Sequence, residues 1–319
     1  MKMFSRLVLL AGLACAAPAF AQEGVVRIVV GYPAGATLDV MSRIVAEEMR
    51  KSLGRPVIVE NKPGAGGIVG TETVKAAPKD GSTVLMTPVA TMAIFPHSFG
   101  KRLRYDPFTD FAPVAHMAGF QLGLAVGAEV PAKTLAEYVA LVKQSPKAGY
   151  YASAAAGSIP HFLGVMFARA AGIDMVHVPY KGTAPALQAL AGGEISAIST
   201  VVADIGTLVK AGKARLLATA GTKRSPDFPD VPTFKEAGYD IEGQGWYGLF
   251  APAGTPQATL DALSNAAVRA VRDPAVHKRL EGLGLEPTGL GQADLARILK
   301  ADYDRWGPVI RASGFKPGG

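Results

Sequence analysis

The stretch that most constrains this chain runs from Val26 to Gly70, where two β-branched runs each break into a loop of small residues. Arg27-Ile28-Val29-Val30 reads as a strand, and Gly31-Tyr32-Pro33-Ala34-Gly35-Ala36-Thr37 ends it. Val40, Met41, Ile44, Val45, Met49 and Leu53 then recur at the spacing of one helical face. Val57-Ile58-Val59-Glu60 is the next strand, followed by Asn61-Lys62-Pro63-Gly64-Ala65-Gly66-Gly67. In a parallel sheet both loops lie at the carboxyl edge of the strands, where open α/β folds take their ligands. Backbone amides freed by glycine beside a helix N-terminus attract anions. The stretch therefore predicts a small-anion pocket built mostly of backbone.

The alternation continues along the chain. Thr83-Val84-Leu85-Met86 reads as a third strand running into a loop at Thr87-Pro88-Val89-Ala90-Thr91. Two apolar runs, Pro113 to Ala115 and Leu122 to Val126, read as sheet crossing towards a second domain. There the pattern repeats: a strand at Tyr150 to Ala152 leads into Ser153 to Pro160, one at Met175 to Val178 into Pro179 to Thr183, and one at Ile195 to Ile198 into Ser199-Thr200-Val201. The last third offers one strand, Trp246 to Ala251, and helices over Gln257 to Val271, Asp273 to Gly282 and Asp294 to Ser313, so it returns to the first domain. At 319 residues the chain is longer than one core usually spans. The expectation is two α/β lobes, residues 22–122 with 243–319 and residues 123–242, joined by two crossings.

Residues 1–21 differ in kind. Lys2 and Arg6 precede an apolar run from Leu7 to Ala17, and Ala19-Phe20-Ala21 is a small-x-small cleavage signal, so an exported chain starting at Gln22 is expected. The apolar run is too short to span a bilayer. The one cysteine, Cys15, lies in this signal, and the residues before it fit a lipoprotein signal poorly. The mature chain then has no disulfide or thiol chemistry. Its formal charge falls from +7 to +5, and the basic residues are scattered with no aromatic platform, which argues against nucleic acid.

Catalytic motifs are missing too. The sequence has no Gly-x-Ser-x-Gly elbow, no His-Glu-x-x-His and no cysteine nucleophile, and its histidines lack metal-ligand spacing. The Gly64-x-Gly66 pattern lacks the acidic residue of a dinucleotide site, and no P-loop ending is present. No enzyme activity, cofactor or metal is expected.

Pro33-Ala34-Gly35 with Asp39, Val59 to Gly67, Val176-His177-Val178-Pro179-Tyr180-Lys181-Gly182, Pro229 to Thr233, Gly248 to Pro256 and Trp306-Gly307 together resemble the periplasmic receptors of tripartite tricarboxylate transporters, also called the Bug family. The resemblance covers nearly the whole mature chain in the family's order. It implies a two-lobe periplasmic binding protein of the Venus-flytrap, type II-like kind, with two crossing strands as hinge. Such a protein binds a small organic acid between its lobes and delivers it to membrane permease subunits. The resemblance implies ligand contacts from Tyr32, Ala34, Gly35, Ala36 and Thr37, from Gly64, Ala65, Gly66 and Gly67, and from Pro88, Val89, Ala90 and Thr91. In the second lobe it implies Ser153, Ala154, Gly157, Ser158 and His161, then Tyr180, Lys181 and Gly182, then Thr200, Val201 and Asp204. Asp39 is expected to order the first loop by bonding its amides from behind. A monomer is expected.

Two departures bear on the ligand. Ala36, Thr37 and Leu38 stand where the family carries glycines before its acidic residue, and Thr200-Val201 stands where Asp-Asn is usual. The ligand's far end is therefore expected to be less polar or aromatic, on either a mono- or a dicarboxylate. Lys62 is open between steering the ligand and facing solvent, and Lys181 between ligand contact and packing its loop. His161 opens a helix beneath a small-residue loop, where ligand contact or a hinge-facing hydrogen bond is open. Trp246 and Tyr247 are open between cleft and core. The same binding could instead serve a sensor kinase, or an enzyme on the same scaffold.

Overall fold

The computed structural model describes residues 24–315. The expected signal peptide, Cys15 and the cleavage after Ala21 lie outside the described residues. Two mixed sheets with helices form the fold. The first half of the first sheet comes from β1 (Val26–Val30), α1 (Thr37–Leu53), β2 (Val57–Asn61), α2 (Ile68–Lys75), β3 (Thr83–Pro88) and the short α3 (Phe95–Phe99). β4 (Phe111–Phe120) ends that sheet's first pass, and β5 (Leu122–Gly127) opens the second sheet. The second sheet is completed by α4 (Leu135–Gln144), β6 (Tyr150–Ser153), α5 (Ile159–Ala171), β7 (Val176–Pro179), α6 (Thr183–Ala191), β8 (Ala197–Val201), α7 (Val202–Lys210) and β9 (Ala214–Thr219). The chain then returns to the first sheet through β10 (Gly245–Pro252), α8 (Gln257–Arg272), α9 (Pro274–Glu281), β11 (Leu285–Leu290) and α10 (Gln292–Ser313).

Strand order is β11-β4-β10-β3-β1-β2 in one sheet and β7-β6-β8-β5-β9 in the other. β1 pairs parallel with both β2 and β3, and β6 parallel with both β7 and β8. Each sheet thus has a parallel half whose carboxyl edge carries the loops leading into helices. The apolar face predicted for α1 is seated on this core, with Met41, Val45 and Met49 fully buried. α2 lies directly on the end of β1: a Cβ on Gly31 would stand 2.7 Å from the Gly67 Cα, and one on Gly70 would stand 2.7 Å from the Gly31 Cα. Only glycine permits that approach.

Three elements depart from the sequence expectation. Ser199, Thr200 and Val201 belong to β8, where Thr200 pairs with Gly123 and Ser199 with Leu124 of β5, so the ladder continues through the segment expected to be a loop. Pro88 likewise ends β3 opposite Tyr247, and Ala90–Ile94 is a π-helical turn rather than an open loop. β11 is not expected from the sequence, because Pro287 and Gly289 break its alternation. It lies at the edge of the sheet, where a residue without an N–H is tolerated.

The crossings lie side by side. β4 passes into β5 through Gln121, whose carbonyl accepts the Val202 amide at 2.9 Å. The return segment is tied to it where the Ala220 amide donates to the Leu122 carbonyl at 2.7 Å and Gly243 donates to Ala220 at 2.9 Å. The C-terminal end of the chain adds a further link, with the Phe315 ring packed edge-on against both His161 and Phe162 of α5.

Candidate functional site

The loop after β1 is held from behind by one buried carboxylate. Asp39, in the first turn of α1, accepts the Gly35 amide at 2.9 Å, two bonds from Arg43 at 3.0 and 2.9 Å, and Asn61 Nδ2 at 2.9 Å. Asn61 also donates to the Tyr32 carbonyl at 3.0 Å, which ties the loops after β1 and β2 together. Burial pushes the Asp39 carboxyl up, but Arg43, the Gly35 amide and Asn61 together hold it below the usual carboxylate value. Ala36 supplies no side-chain cap to α1, so the first-turn amides of that helix are left for other partners.

The loop after β2 is a run of left-handed backbone. Gly64, Ala65, Gly66 and Gly67 have φ of 152, 48, 68 and 102°. Ala65 is the exception among them, since an L side chain in this region costs about 1 kcal/mol. Consecutive turns of this kind point backbone amides into a concave anion site. The Tyr32 hydroxyl donates to the Gly66 carbonyl at 2.7 Å and fixes the orientation of that peptide. Beside it, Val89 and Thr91 are fully buried, with Ala90 partly exposed. The Thr91 hydroxyl is already bonded to the Pro88 carbonyl at 2.9 Å and to Thr87.

The second sheet's edge is assembled from neutral groups. Ser153 Oγ bonds the Ala155 carbonyl at 3.0 Å and His177 Nε2 at 2.7 Å. Ser158 caps α5, accepting the His161 amide and donating to the Ala155 carbonyl at 2.7 Å. The Gly157 amide donates to His161 Nδ1 at 3.0 Å, which places the neutral ring's proton on Nε2. His161 stacks on His177 with ring centres 3.9 Å apart. Burial pushes His161 down to about 4; burial, and then the neighbouring His161, push His177 down to about 3. Tyr180 and Gly182 donate their amides to the carbonyls of Ser153 and Ala154 at 3.0 and 2.9 Å, while Lys181 is exposed.

Two hydrogen bonds join the edges. Thr37 Oγ1, at the start of α1, donates to Asp204 Oδ1 at 3.2 Å in the first turn of α7. Ser98 Oγ, at 3.3 Å, donates to the Gly157 carbonyl. Burial pushes the Asp204 carboxyl up, opposed by hydrogen bonds from Thr37 and Thr183. Tyr247 is buried close enough to feel the charge of Asp204, and burial raises its phenol far above the ordinary value. Of the two readings the sequence leaves open for Tyr247, core and cleft, its burial is that of a core residue. Ser98 and Phe315 carry no signal in the sequence, since each reaches the site from a different element, whereas Thr183 closes the expected loop after β7. Thr200 is buried in β8, and Val201 and Asp204 are half-buried at its end. Lys62 is paired with Glu60 at 2.6 Å, with both side chains substantially exposed.

Two concavities lie away from the candidate loops. A groove of about 460 Å³ is lined by Ala128, Val130, Lys133 and Arg215, and one of about 300 Å³ by Met166, Arg169, Pro308 and Val309. Neither includes a residue of the candidate loops. Among the described residues no group of His, Cys, Asp and Glu is placed to hold a metal ion, and no helix is long and apolar enough to cross a membrane.

Known proteins are similar to this chain in sequence and fold. The family model for the tripartite tricarboxylate transporter family receptor matches residues 41–315. A UPF0065 protein from the gbd 5′ region of Cupriavidus necator is 36% identical over 290 residues, covering 91% of this chain and 88% of the relative. MatC from Rhodopseudomonas palustris, solved with bound malate, superposes with a TM-score of 0.82 at 32% identity, covering 90% of this chain and 99% of that one. A second protein of that organism, solved with adipate, gives a TM-score of 0.87 at 29% identity over 93% of this chain and 99% of its own. With two α/β lobes and a match across most of its length, this chain belongs to the tripartite tricarboxylate transporter receptor family of periplasmic solute-binding proteins.

Proposed function

We propose that the protein captures a small organic carboxylate between its lobes and delivers it to a tripartite tricarboxylate-type permease, binding its ligand without turnover. The observation that carries this reading is the bond from Thr37 to Asp204, which brings the carboxyl edges of two parallel half-sheets face to face. Helices α1, α2, α6 and α7 all begin at these edges without a side-chain cap. Uncapped starts also occur at α8 and α10, so it is their convergence that distinguishes the cleft. Converging helix N-termini and the left-handed run at Gly64 to Gly67 suit a carboxylate held by amides. Malate and adipate in the two structural relatives support the same ligand class.

In this reading residues 22–122 with 243–319 form one lobe and 123–242 the other, and they rotate about the paired crossings. Closure removes water from the bound carboxylate and creates the shape that permease subunits recognise. The contacts are those of the Tyr32–Thr37, Gly64–Gly67 and Pro88–Thr91 segments against Ser153–His161, Tyr180–Gly182 and Thr200–Asp204. Export through a signal cleaved after Ala21 places the protein in the periplasm. A thermal-shift screen of organic acids, amino acids and sugars on the mature protein tests the function. A ligand at one hundred times its Kd should add about 2.7 kcal/mol of stability. Stabilisation by sugars alone would refute the carboxylate reading, and ligand recovered chemically altered would refute binding without turnover.

A further inference from the structure

Charge in the cleft is one-sided. Asp204 is half-buried in the first turn of α7, where a carboxylate normally serves its own helix dipole. Its hydrogen bonds go elsewhere, to Thr37 of α1 at 3.2 Å and to Thr183 in the first turn of α6. The phenol of Tyr247, which feels the charge of Asp204, is kept un-ionised first by burial. No ion pair reaches Asp204 among the described residues. Lys62 is bound to Glu60 and Arg43 to Asp39, and Lys181 stands exposed on its loop. A carboxylate therefore sits between the lobes with hydroxyl partners and, among the described residues, no cation, which makes the far end of the cleft more polar than Thr200 and Val201 alone suggest.

We propose that Asp204 is the residue that reads the ligand's distal end, selecting monocarboxylates that carry a hydrogen-bond donor there, an ammonium or a hydroxyl group, over dicarboxylates. This rests on the carboxylate-receptor reading above. A donor at the far end meets an acceptor that already lies in the cleft, and an ammonium group also neutralises it. A second carboxylate placed there faces a like charge, and one of the two must take up a proton before both fit. The apolar neighbour Val201 gives a distal carboxylate no compensating donor from its side chain, and Thr200 is buried within the strand.

The test measures Kd by calorimetry for adipate, its ω-hydroxy and ω-amino monocarboxylate analogues, and the plain monocarboxylate of the same length, repeated for shorter chains. Wild-type protein should bind a donor-tailed acid at least about tenfold more tightly than the dicarboxylate and the plain acid of equal length. Asp204→Asn should narrow the gap to the dicarboxylate to about threefold or less. Asp204→Ser is a second variant should the first not fold. Tighter binding of dicarboxylates by wild type, or a ratio unchanged in both variants, overturns the assignment while leaving the receptor reading intact. If none of these acids binds at any length while the thermal-shift screen finds another organic acid, this inference alone fails; if that screen finds only sugars, the receptor reading fails with it.

Discussion

The loops after β1 and β6 occupy equivalent places, each between a parallel strand and the helix that follows, yet they are fastened by opposite chemistry. The first is anchored by a charged carboxylate that gathers Gly35, Arg43 and Asn61. The second is anchored by a neutral imidazole that accepts Gly157 and stacks on a second imidazole and an aromatic ring. Either device holds a loop without placing a compensating cation against the ligand. They differ in what breaks them: a charge network fails when its acid is protonated below the ordinary carboxylate value, and a buried ring pair fails as soon as protonation becomes favourable. The second edge should therefore yield first on acidification.

The largest expected effect follows from that difference. An unfolded histidine takes up a proton near 6.5, whereas His161 in the fold does so only near 4, so its contribution is whole above about pH 6.5 and is lost as pH falls towards 4. That loss is on the order of 3 kcal/mol. Asp39 runs later: its carboxyl is lowered in the fold, so its contribution persists until the pH falls below the usual carboxylate value. Urea midpoints measured from pH 7 to 4 should decline, and His161→Gln should make the decline shallower without abolishing it, because burial also pushes His177 and His116 down. A wild-type profile level down to pH 4 would erase the contrast between the two edges.

Comparable is the cost of pushing the first edge apart. Gly31→Val places a Cβ against the Gly67 backbone and should destabilise by about 3 kcal/mol, with weakened ligand binding. An unchanged urea midpoint would mean that α2 is not seated on β1. Asp39→Ala should cost about 2 kcal/mol, since it removes both the amide acceptor and the partner of Arg43. Asp39→Asn, which retains an acceptor, should cost about half of that. Equal losses in thermal melts would assign the role to the charge alone. The smallest effect expected is from Phe315→Ala, about 1 kcal/mol, through lost edge-on packing against His161 and Phe162. Amide exchange should then quicken at Gly157 and leave Gly35 unchanged; quickening at both would mean that the anchor is shared.

Much of this architecture is legible locally. The β-branched runs at Arg27 to Val30 and Val57 to Glu60, the helical face from Val40 to Leu53 and the glycines at Gly64 to Gly67 each state their conformation within a few residues. The same is true of Thr134, whose hydroxyl caps α4 by accepting the Glu137 amide at 3.1 Å. Elements whose conformation depends on a distant neighbour were less legible. Ser199 to Val201 looked like a loop because small hydroxyl residues favour turns, but pairing with β5 outweighs that preference. Residues Leu285 to Leu290 become a strand only because β4 leaves a partner open at the edge of the sheet.

By itself the sequence determined two α/β units and small-residue loops at the ends of parallel strands, and it raised the expectation of a backbone-rich anion pocket, because periodicity, glycine and strand propensity act over short range. Only the tertiary structure decided which charges meet. Thr37 and Asp204 are 167 positions apart in the chain, and no local pattern records that they are within hydrogen-bonding distance. Hydrogen bonding and Coulombic energy depend on distance and burial in space, so the cleft's lone carboxylate and its missing cation become visible only once the two sheets face each other.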